Sequence, residues 1–157
     1  MGVSLKGIKD NARKASVEEL NARLADGIAL ALAIKQAHWN VKGPNFIAVH
    51  ELFDQIRARV DLQNDTMAER VQQLDGVAIG TADEIAKASS LPAYPTDLTK
   101  SADHLREIAG LLRAHGEKIR NAIDVTDDAG DADTADIFTG VSRDLDKDLW
   151  FVESHLE

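Results

Sequence analysis

Residues 45–74 read NFIAVHELFDQIRARVDLQNDTMAERVQQL, and apolar side chains recur along this segment at every third or fourth position. This spacing places side chains on one face of an α-helix. Asn45 is a suitable N-cap, and Gly76 and Gly80 interrupt the pattern. The segment therefore predicts one amphipathic helix of about 28 residues, well above the usual ~11–12. Its apolar face consists of Val49, Phe53, Ile56, Val60, Met67, Val71 and Leu74.

The chain before this segment predicts another long helix. Ser16 and Glu19 have the spacing of a capping box, and Gly43-Pro44 stops the apolar run. Alanine, the best helix former, alternates with Leu and Ile in residues 28–34, so a strand is disfavoured there. We expect a helix over about residues 17–41 that is buried on most sides.

The chain after Gly80 predicts one short and two long helices. Thr81 and Glu84 form a second capping box, so a short helix is expected to end near Ala88, before the turn-rich residues 89–95. An acidic, glycine-containing break at residues 127–133 separates the two long helices. Their apolar positions are Leu105, Ile108, Leu112, Ile119 and Ile123, then Phe138, Val141, Leu145, Leu149 and Val152.

Four amphipathic helices of similar length are typical of a four-helix bundle. Short connections make the first pair and the last pair antiparallel, whereas more than about twenty residues join the second long helix to the third, enough to cross the length of a bundle. One long crossover is ferritin-like connectivity. The predicted fold is all-α, a ferritin-like four-helix bundle over residues 16–157 with a short extra helix in the crossover. Residues 1–15 are predicted to form a flexible N-terminal tail.

Composition limits the classes of function. The chain has 157 residues and no cysteine, which excludes disulfides, thiolate metal sites and a cysteine nucleophile. With 27 acidic and 18 basic residues the net charge is −9, so the molecule as a whole repels nucleic acid and anionic membranes and attracts cations. No apolar run resembles a signal peptide or reaches the ~18 residues of a membrane span, so we expect a cytoplasmic protein.

The predicted second long helix carries two pairs of metal-ligand residue types. A buried di-iron centre in a bundle core needs Glu-x-x-His pairs, and no Glu in this sequence has a His three positions later. His50 and Asp54 instead lie four positions apart, as do Asp65 and Glu69, so each pair can converge on one ion. The alternative interpretation is a solvated helix face whose acids pair with nearby Lys or Arg.

The distance between the two pairs requires two chains. Asp54 and Asp65 are eleven positions apart, close to three helical turns, so both pairs lie on one side of the helix. A rise of ~1.5 Å per residue separates them by about 16 Å, far beyond metal–ligand bonds of ~2.0–2.2 Å. Two antiparallel copies about a two-fold axis would place the first pair of each chain opposite the second pair of the other. Two equivalent metal sites would then form at the dimer interface.

Four motifs resemble those of the Dps family, the DNA-binding proteins from starved cells. They are HWNVKGPNFIAVHE at residues 38–51, DTMAER at 65–70, TADI at 134–137 and SRDLDK at 142–147. The resemblance covers nearly the whole chain and implies a hollow homododecamer of four-helix bundles. It further implies a ferroxidase: Fe2+ is oxidised, preferably by hydrogen peroxide, at two-iron sites between two-fold-related subunits. Ferric mineral is then stored inside, which protects the cell and its DNA from oxidative damage.

The resemblance assigns individual residues to the iron site. His38, His50 and Asp54 match the ligands from one subunit, while Asp65 and Glu69 match those from its partner. Trp39 matches an aromatic residue beside the site that is thought to pass electrons or quench radicals, although a core aromatic near a helix end is an equal interpretation. Imidazole and carboxylate ligands suit ferrous iron and leave positions open for an oxidant.

An acidic group near the last helix has two interpretations. It is either a solvated loop with acids favourably placed at a helix N-terminus or, as the resemblance implies, part of a pore on a three-fold axis that concentrates Fe2+. We favour Asp133 and Asp136 as the pore residues. The full group is Asp127, Asp128, Asp131, Asp133 and Asp136.

The N-terminal residues offer a second role. Four basic side chains against the acid Asp10 give residues 1–15 a net charge of +3, four minus one, and twelve such tails would contact DNA phosphates without sequence preference. Val3, Leu5 and Ile8 are able to dock the tail against the shell instead. A nucleoid-compacting scaffold and a bundle that binds another protein are therefore the competing functions. The four basic residues are Lys6, Lys9, Arg13 and Lys14.

The remaining histidines show no metal-binding pattern. His115 and His155 have no acidic partner at helical spacing, and His104 has only Glu107. All three are predicted to lie at the surface. Trp150 is interpreted as a packing residue.

Overall fold

A computed structural model describes residues 5–157 and contains, within that range, five helices. Four of them are long and one is short, which confirms the predicted all-α bundle with an extra helix in the crossover. None of the helices in the described range is long and apolar enough to cross a membrane. The helices are α1 (Asp10–Asn40), α2 (Phe46–Gln73), α3 (Ala82–Ala88), α4 (Ser101–Ala129) and α5 (Ala132–Glu153).

The crossover runs the full length of the bundle. It leaves α2 at Leu74 and carries α3 before it reaches α4. At its far end, Lys42 N donates to Thr99 O (2.8 Å) and Ser101 N donates to Lys42 O (3.0 Å), so α4 begins beside the α1–α2 connection. The crossover therefore starts at one end of the bundle and finishes at the other.

The apolar face predicted for α2 forms the centre of the core. All seven of its side chains are fully buried, together with Phe138 from α5 and Ile119 from α4. The Asn64 side chain of α2 packs against Gly27 of α1, where an added Cβ would lie 2.0 Å from Asn64 Oδ1. A larger residue at position 27 would require the Asn64 side chain to move.

The first helix begins earlier than the sequence predicts, at Asp10 instead of Val17. Ser16 is therefore a buried residue inside α1 and not a cap, because Lys9 occupies the N-cap position. Arg13 Nη1 donates to the carbonyl of Leu74 (3.4 Å), which ties the first turns of α1 to the bundle.

The segment predicted to be a tail includes the start of α1. Residues 10–15 are helical, and Leu5 and Ile8 are partly buried against the core. Residues 1–4 lie outside the described range, and the tail remains a prediction there.

The acidic break between α4 and α5 is shorter than predicted. Gly130 ends α4 in the left-handed conformation (φ +95°), and the Asp131 carboxylate caps α5 by accepting from Thr134 N. Asp131 is buried, and its Oδ1 accepts from Arg70 Nη2 at 2.9 Å. This acid therefore stabilises the turn and does not face solvent.

Two of the three histidines predicted at the surface are buried. His104 and His115 are each 1% exposed, while His155 is exposed as predicted. Both lie on the apolar face of α4 with Ile108, Leu112 and Ile119, at spacings of three or four. Burial lowers the pKa of His115 to about 4, against the opposing charge of Asp26.

This burial predicts a loss of stability in acid. The pKa of His115 is about 4 in the folded chain against 6.5 for a free side chain, so the unfolded state binds more protons between these values. The contribution of neutral His115 to the free energy of unfolding is fully present above pH 6.5. It decreases by about 3 kcal/mol as the pH falls to about 4. The free energy of unfolding is measured with denaturant at about pH 7 and about pH 4. Its decrease between these pH values should be smaller in His115→Leu than in the unmodified protein. His155→Leu, at an exposed position, should lose as much as the unmodified protein, and an unchanged loss in His115→Leu would contradict the assignment.

Candidate metal centre

His38 and His50 hold each other in one fixed arrangement at the α1–α2 end of the bundle. His38 Nδ1 donates to the carbonyl of His50 (2.8 Å), and His50 Nδ1 donates to the carbonyl of His38 (2.8 Å). The two rings stack with centroids 3.6 Å apart. Because α1 ends and α2 begins here, the turn between them brings the last helical turn of one against the first of the other.

These two hydrogen bonds fix the tautomer of both rings. A carbonyl oxygen only accepts, so each Nδ1 must carry the proton. The lone pair of each neutral ring is then on Nε2, the atom left free to bind a metal. Backbone carbonyls commonly orient metal-binding histidines in this way. The local structure therefore prepares two imidazole ligands side by side.

Asp54 supplies a carboxylate next to this pair. It lies one helical turn after His50, and its Oδ1 is 3.6 Å from His38 Nδ1. The ammonium of Lys35 on α1 also pairs with it. The pKa of Asp54 is lowered, first by the hydrogen bond from Lys35 and further by the positive charge of Lys35. The side chain is half exposed, and its carboxylate is ionised at neutral pH.

A shallow cleft opens at this position. Its lining consists of His38, Ile47, His50, Glu51, Asp54 and Gln55. Among residues 5–157, no three His, Asp or Glu side chains form a group with the geometry to hold a metal ion. The candidate ligands in the cleft therefore lie close together, but one chain alone does not supply a complete set of metal ligands.

Asp65 and Glu69 lie farther along α2. Both are exposed, and within the described range neither forms an ion pair with Lys, Arg or His. Eleven residues of helix place Asp65 about 16 Å from Asp54 along the axis. The structure therefore brings together three of the five predicted ligands and keeps the other two apart on the same helix.

Trp39 does not line this cleft. It is 69% exposed and lies on another side of α1, where it lines an apolar cavity together with Leu32 and Tyr94. Successive residues of a helix point about 100° apart, which explains why Trp39 and His38 face different spaces.

The predicted pore and DNA-contact residues occupy separate surfaces. Asp133 and Asp136 are exposed near the start of α5, where Asp133 Oδ2 lies 3.9 Å from Arg70 Nη2. Lys6, Lys9 and Lys14 are exposed at the beginning of the described chain. Arg13 is half-buried and donates to a backbone carbonyl, so it differs from the three lysines.

Sequence patterns alone missed two features of the centre. Lys35, which pairs with Asp54, lies three positions before His38 on α1, a spacing that puts both on one helix face. That spacing is a usable signal. The reciprocal hydrogen bonds of His38 and His50 involve backbone atoms of two helices, and no residue pattern reports them.

Comparison with known proteins supports this architecture. A family model for a ferritin-like domain matches residues 17–157. The DNA protection during starvation protein of Agrobacterium fabrum is 52% identical over 153 residues, which cover 96% of this chain and 93% of the relative. Among solved structures, Mycobacterium smegmatis Dps has a TM-score of 0.94 at 30% identity and covers 100% of this chain and 94% of that one. DpsC from Streptomyces coelicolor has a TM-score of 0.93 at 29% identity, covering 99% and 92%.

The fold and the family match define a ferritin-like four-helix bundle protein. Within that class, the identity and coverage of the Agrobacterium relative are decisive. The chain belongs to the Dps family.

Proposed function

We propose that this protein oxidises Fe2+ with hydrogen peroxide at sites shared by two subunits and stores the ferric product inside a hollow dodecamer. The observation that carries the proposal is the reciprocal hydrogen bonding of His38 and His50, which leaves both Nε2 lone pairs free. A structural role for these rings would not require that both leave the same nitrogen, Nε2, outside the hydrogen bond to the carbonyl. Membership in the Dps family supports the same function.

Each side chain has a distinct part in the proposed reaction. The Nε2 atoms of His38 and His50 bind Fe2+, and Asp54 exchanges its contact with Lys35 for the cation. The partner's Asp65 and the partner's Glu69 complete the site, because within one chain they lie about 16 Å away. Two Fe2+ ions each give one electron to a peroxide molecule, which with two protons yields two water molecules. This paired transfer avoids release of hydroxyl radical.

Storage requires that iron enter the shell. Asp133 and Asp136 are exposed carboxylates near the N-terminus of α5, and three copies around an axis would attract Fe2+ to a pore. Asp131 is excluded from this role because it is buried against Arg70. A cytoplasmic location, expected from the sequence, accompanies this proposal.

The test is size-exclusion chromatography after anaerobic loading with Fe2+ and addition of stoichiometric peroxide. Iron absorbance should elute with a protein particle of roughly 200 kDa, twelve times 17.1 kDa. A particle of that size without iron would support the shell and contradict iron storage. A smaller particle would contradict the dodecamer.

A nucleoid-compacting role stays a prediction for a secondary function. The exposed side chains of Lys6, Lys9 and Lys14 support it, and the relative from Agrobacterium is named for DNA protection. The attachment of Leu5, Ile8 and Arg13 to the bundle shortens the segment that could reach DNA. Iron oxidation is therefore the better supported main function.

A further inference from the structure

Tyr94 and His104 form a hydrogen-bonded pair where the crossover packs on α4. The phenolic hydroxyl of Tyr94 lies 2.5 Å from His104 Nδ1, and the two rings are nearly parallel, at 13°. Tyr94 is the only tyrosine in the chain. Neither residue is used by the iron site proposed above.

The protonation states of this pair suit proton transfer. Burial and the nearby Glu107 carboxylate raise the pKa of Tyr94, so the phenol keeps its proton and donates it to the hydrogen bond. Burial lowers the pKa of His104, although the carbonyls of Leu98 and Asn40 favour the charged ring. The resting imidazole is therefore neutral, with its Nδ1 lone pair directed at the phenol.

Tyr94 also shares a cavity with a second oxidisable ring. It lines an apolar cavity of about 560 Å³ that Trp39 lines from α1. Trp39 is 69% exposed and directly follows the metal-binding residue His38 in the chain. One cavity is thus lined both by the indole that follows His38 in the chain and by a phenol that has its own base.

We propose that Tyr94 and His104 form a redox pair that reduces an oxidised Trp39. The oxidant is a one-electron oxidant of the radical class, formed when peroxide meets a single Fe2+ ion, so this source rests on the proposed function. Tyr94 gives one electron to the Trp39 radical, and its phenolic proton moves to His104 Nδ1. The Trp39 radical takes a proton from solvent. The products are neutral Trp39, a Tyr94 phenoxyl radical and a His104 imidazolium.

The hydrogen bond explains why this tyrosine is an efficient donor. Removal of an electron turns a phenol into a strong acid, so its oxidation is favourable only where a base accepts the proton at once. His104 is such a base at hydrogen-bond distance, and its ring is buried. The radical would then pass from the exposed Trp39 to the half-buried Tyr94.

Pulse radiolysis of the iron-free protein tests the relay without the iron reaction. Azidyl radicals remove one electron from exposed indoles, and absorbance then follows decay of the tryptophan radical and growth of a tyrosine radical. Trp39 and Trp150 are both exposed, so Trp150→Phe isolates the step from Trp39. We expect the tyrosine radical, which only Tyr94 can form, to grow in Trp150→Phe and to be lost in Trp39→Phe. Equal growth in Trp39→Phe would overturn the proposal.

Replacement of His104 tests the proton acceptor. In His104→Leu the rate of radical transfer should fall about tenfold. The rate should fall by a similar factor in His104→Gln, because the glutamine amide oxygen accepts a hydrogen bond but is a poor base. A purely structural role would be rescued by His104→Gln. An unchanged rate in both variants, with thermal unfolding showing that both are folded, would overturn the assignment of His104.

The same variants separate this inference from the iron chemistry. After Fe2+ and peroxide are mixed, electron paramagnetic resonance of rapidly frozen samples should show a tyrosine radical in the unmodified protein. Iron oxidation measured in the same samples should be unchanged in Tyr94→Phe. If iron is not oxidised but radiolysis shows the transfer, the proposed function fails and the relay stands. If iron is oxidised but radiolysis produces no tyrosine radical, the relay fails alone.

Discussion

Replacing His50 by alanine is expected to slow oxidation of Fe2+ by peroxide at least about a hundredfold, while the shell still assembles. The substitution removes one of the two proposed imidazole ligands. It also removes the hydrogen bond that His50 Nδ1 donates to the carbonyl of His38. This hydrogen bond helps to fix the geometry of the two rings. The side chain is only half-buried, so the bundle itself should tolerate the change. Stopped-flow absorbance of the ferric product measures the rate.

His155→Ala is the matched control for this variant. His155 is exposed at the end of α5, and its Nδ1 bonds only to the carbonyl of Phe151 in its own helix. The control should oxidise iron at the rate of the unmodified protein. Equal rates in His50→Ala and His155→Ala would contradict the assigned site.

Replacing Arg70 by methionine is expected to lower the free energy of unfolding by about 3–5 kcal/mol. Arg70 and Asp131 form a buried ion pair, with side chains 6% and 1% exposed, and Arg70 Nε also donates to Thr134 Oγ1. Burial opposes ionisation of Asp131, but hydrogen bonds from Thr134 and the charge of Arg70 lower its pKa. Loss of the guanidinium therefore leaves a buried charge without its partner. Urea unfolding measures the change.

Two further variants define this result. Arg57 pairs with the exposed Asp61, and its Nη1 donates to the carbonyl of Ala31 (2.9 Å), so Arg57→Met, which leaves no charge buried, should cost about 1–2 kcal/mol. The double variant Arg70→Met with Asp131→Leu should recover part of the loss, because no unpaired charge remains buried. A loss for Arg70→Met no larger than that for Arg57→Met would show that the pair does not hold the α4–α5 turn to α2.

Periodicity predicted the helices because burial imposes it directly on the sequence. All seven apolar residues of the α2 face are fully buried, and the short helix after Thr81 lies where its turn signals indicate. The start of α1 was missed because only Ala12 marks the buried face between Asp10 and Ala15. One buried alanine among charged and polar residues is too short a pattern to indicate a helix.

The site was predictable in part. Spacing along α2 identified His50, Asp54, Asp65 and Glu69 as candidate ligands, whereas His38 came from the family resemblance. The pairing of Lys35 with Asp54 and the reciprocal bonds of the histidines depend on how α1 packs against α2. Such contacts join different helices, and a one-dimensional pattern does not specify them.

The buried histidines of α4 show a signal that was present but misread. His104 and His115 share the helical spacing of Ile108 and Leu112, which marks the buried face. The prediction of a surface position considered only acidic partners. Position on the apolar face would have placed both rings in the interior.

The central claim, that each iron site takes ligands from two chains, is tested most directly by mixing two inactive variants. His50→Ala chains lack the first half of the site, and Asp65→Ala chains lack the second. When both are co-expressed in equal amounts, a random assembly contains about a quarter of the intact sites of the unmodified shell. Co-expression of His50→Ala with Asp54→Ala is the control, because both damage the same half and no intact site can form. Recovery of about a quarter of the iron oxidation rate in the first mixture alone is the predicted result, and a first mixture no more active than either parent would contradict the shared site.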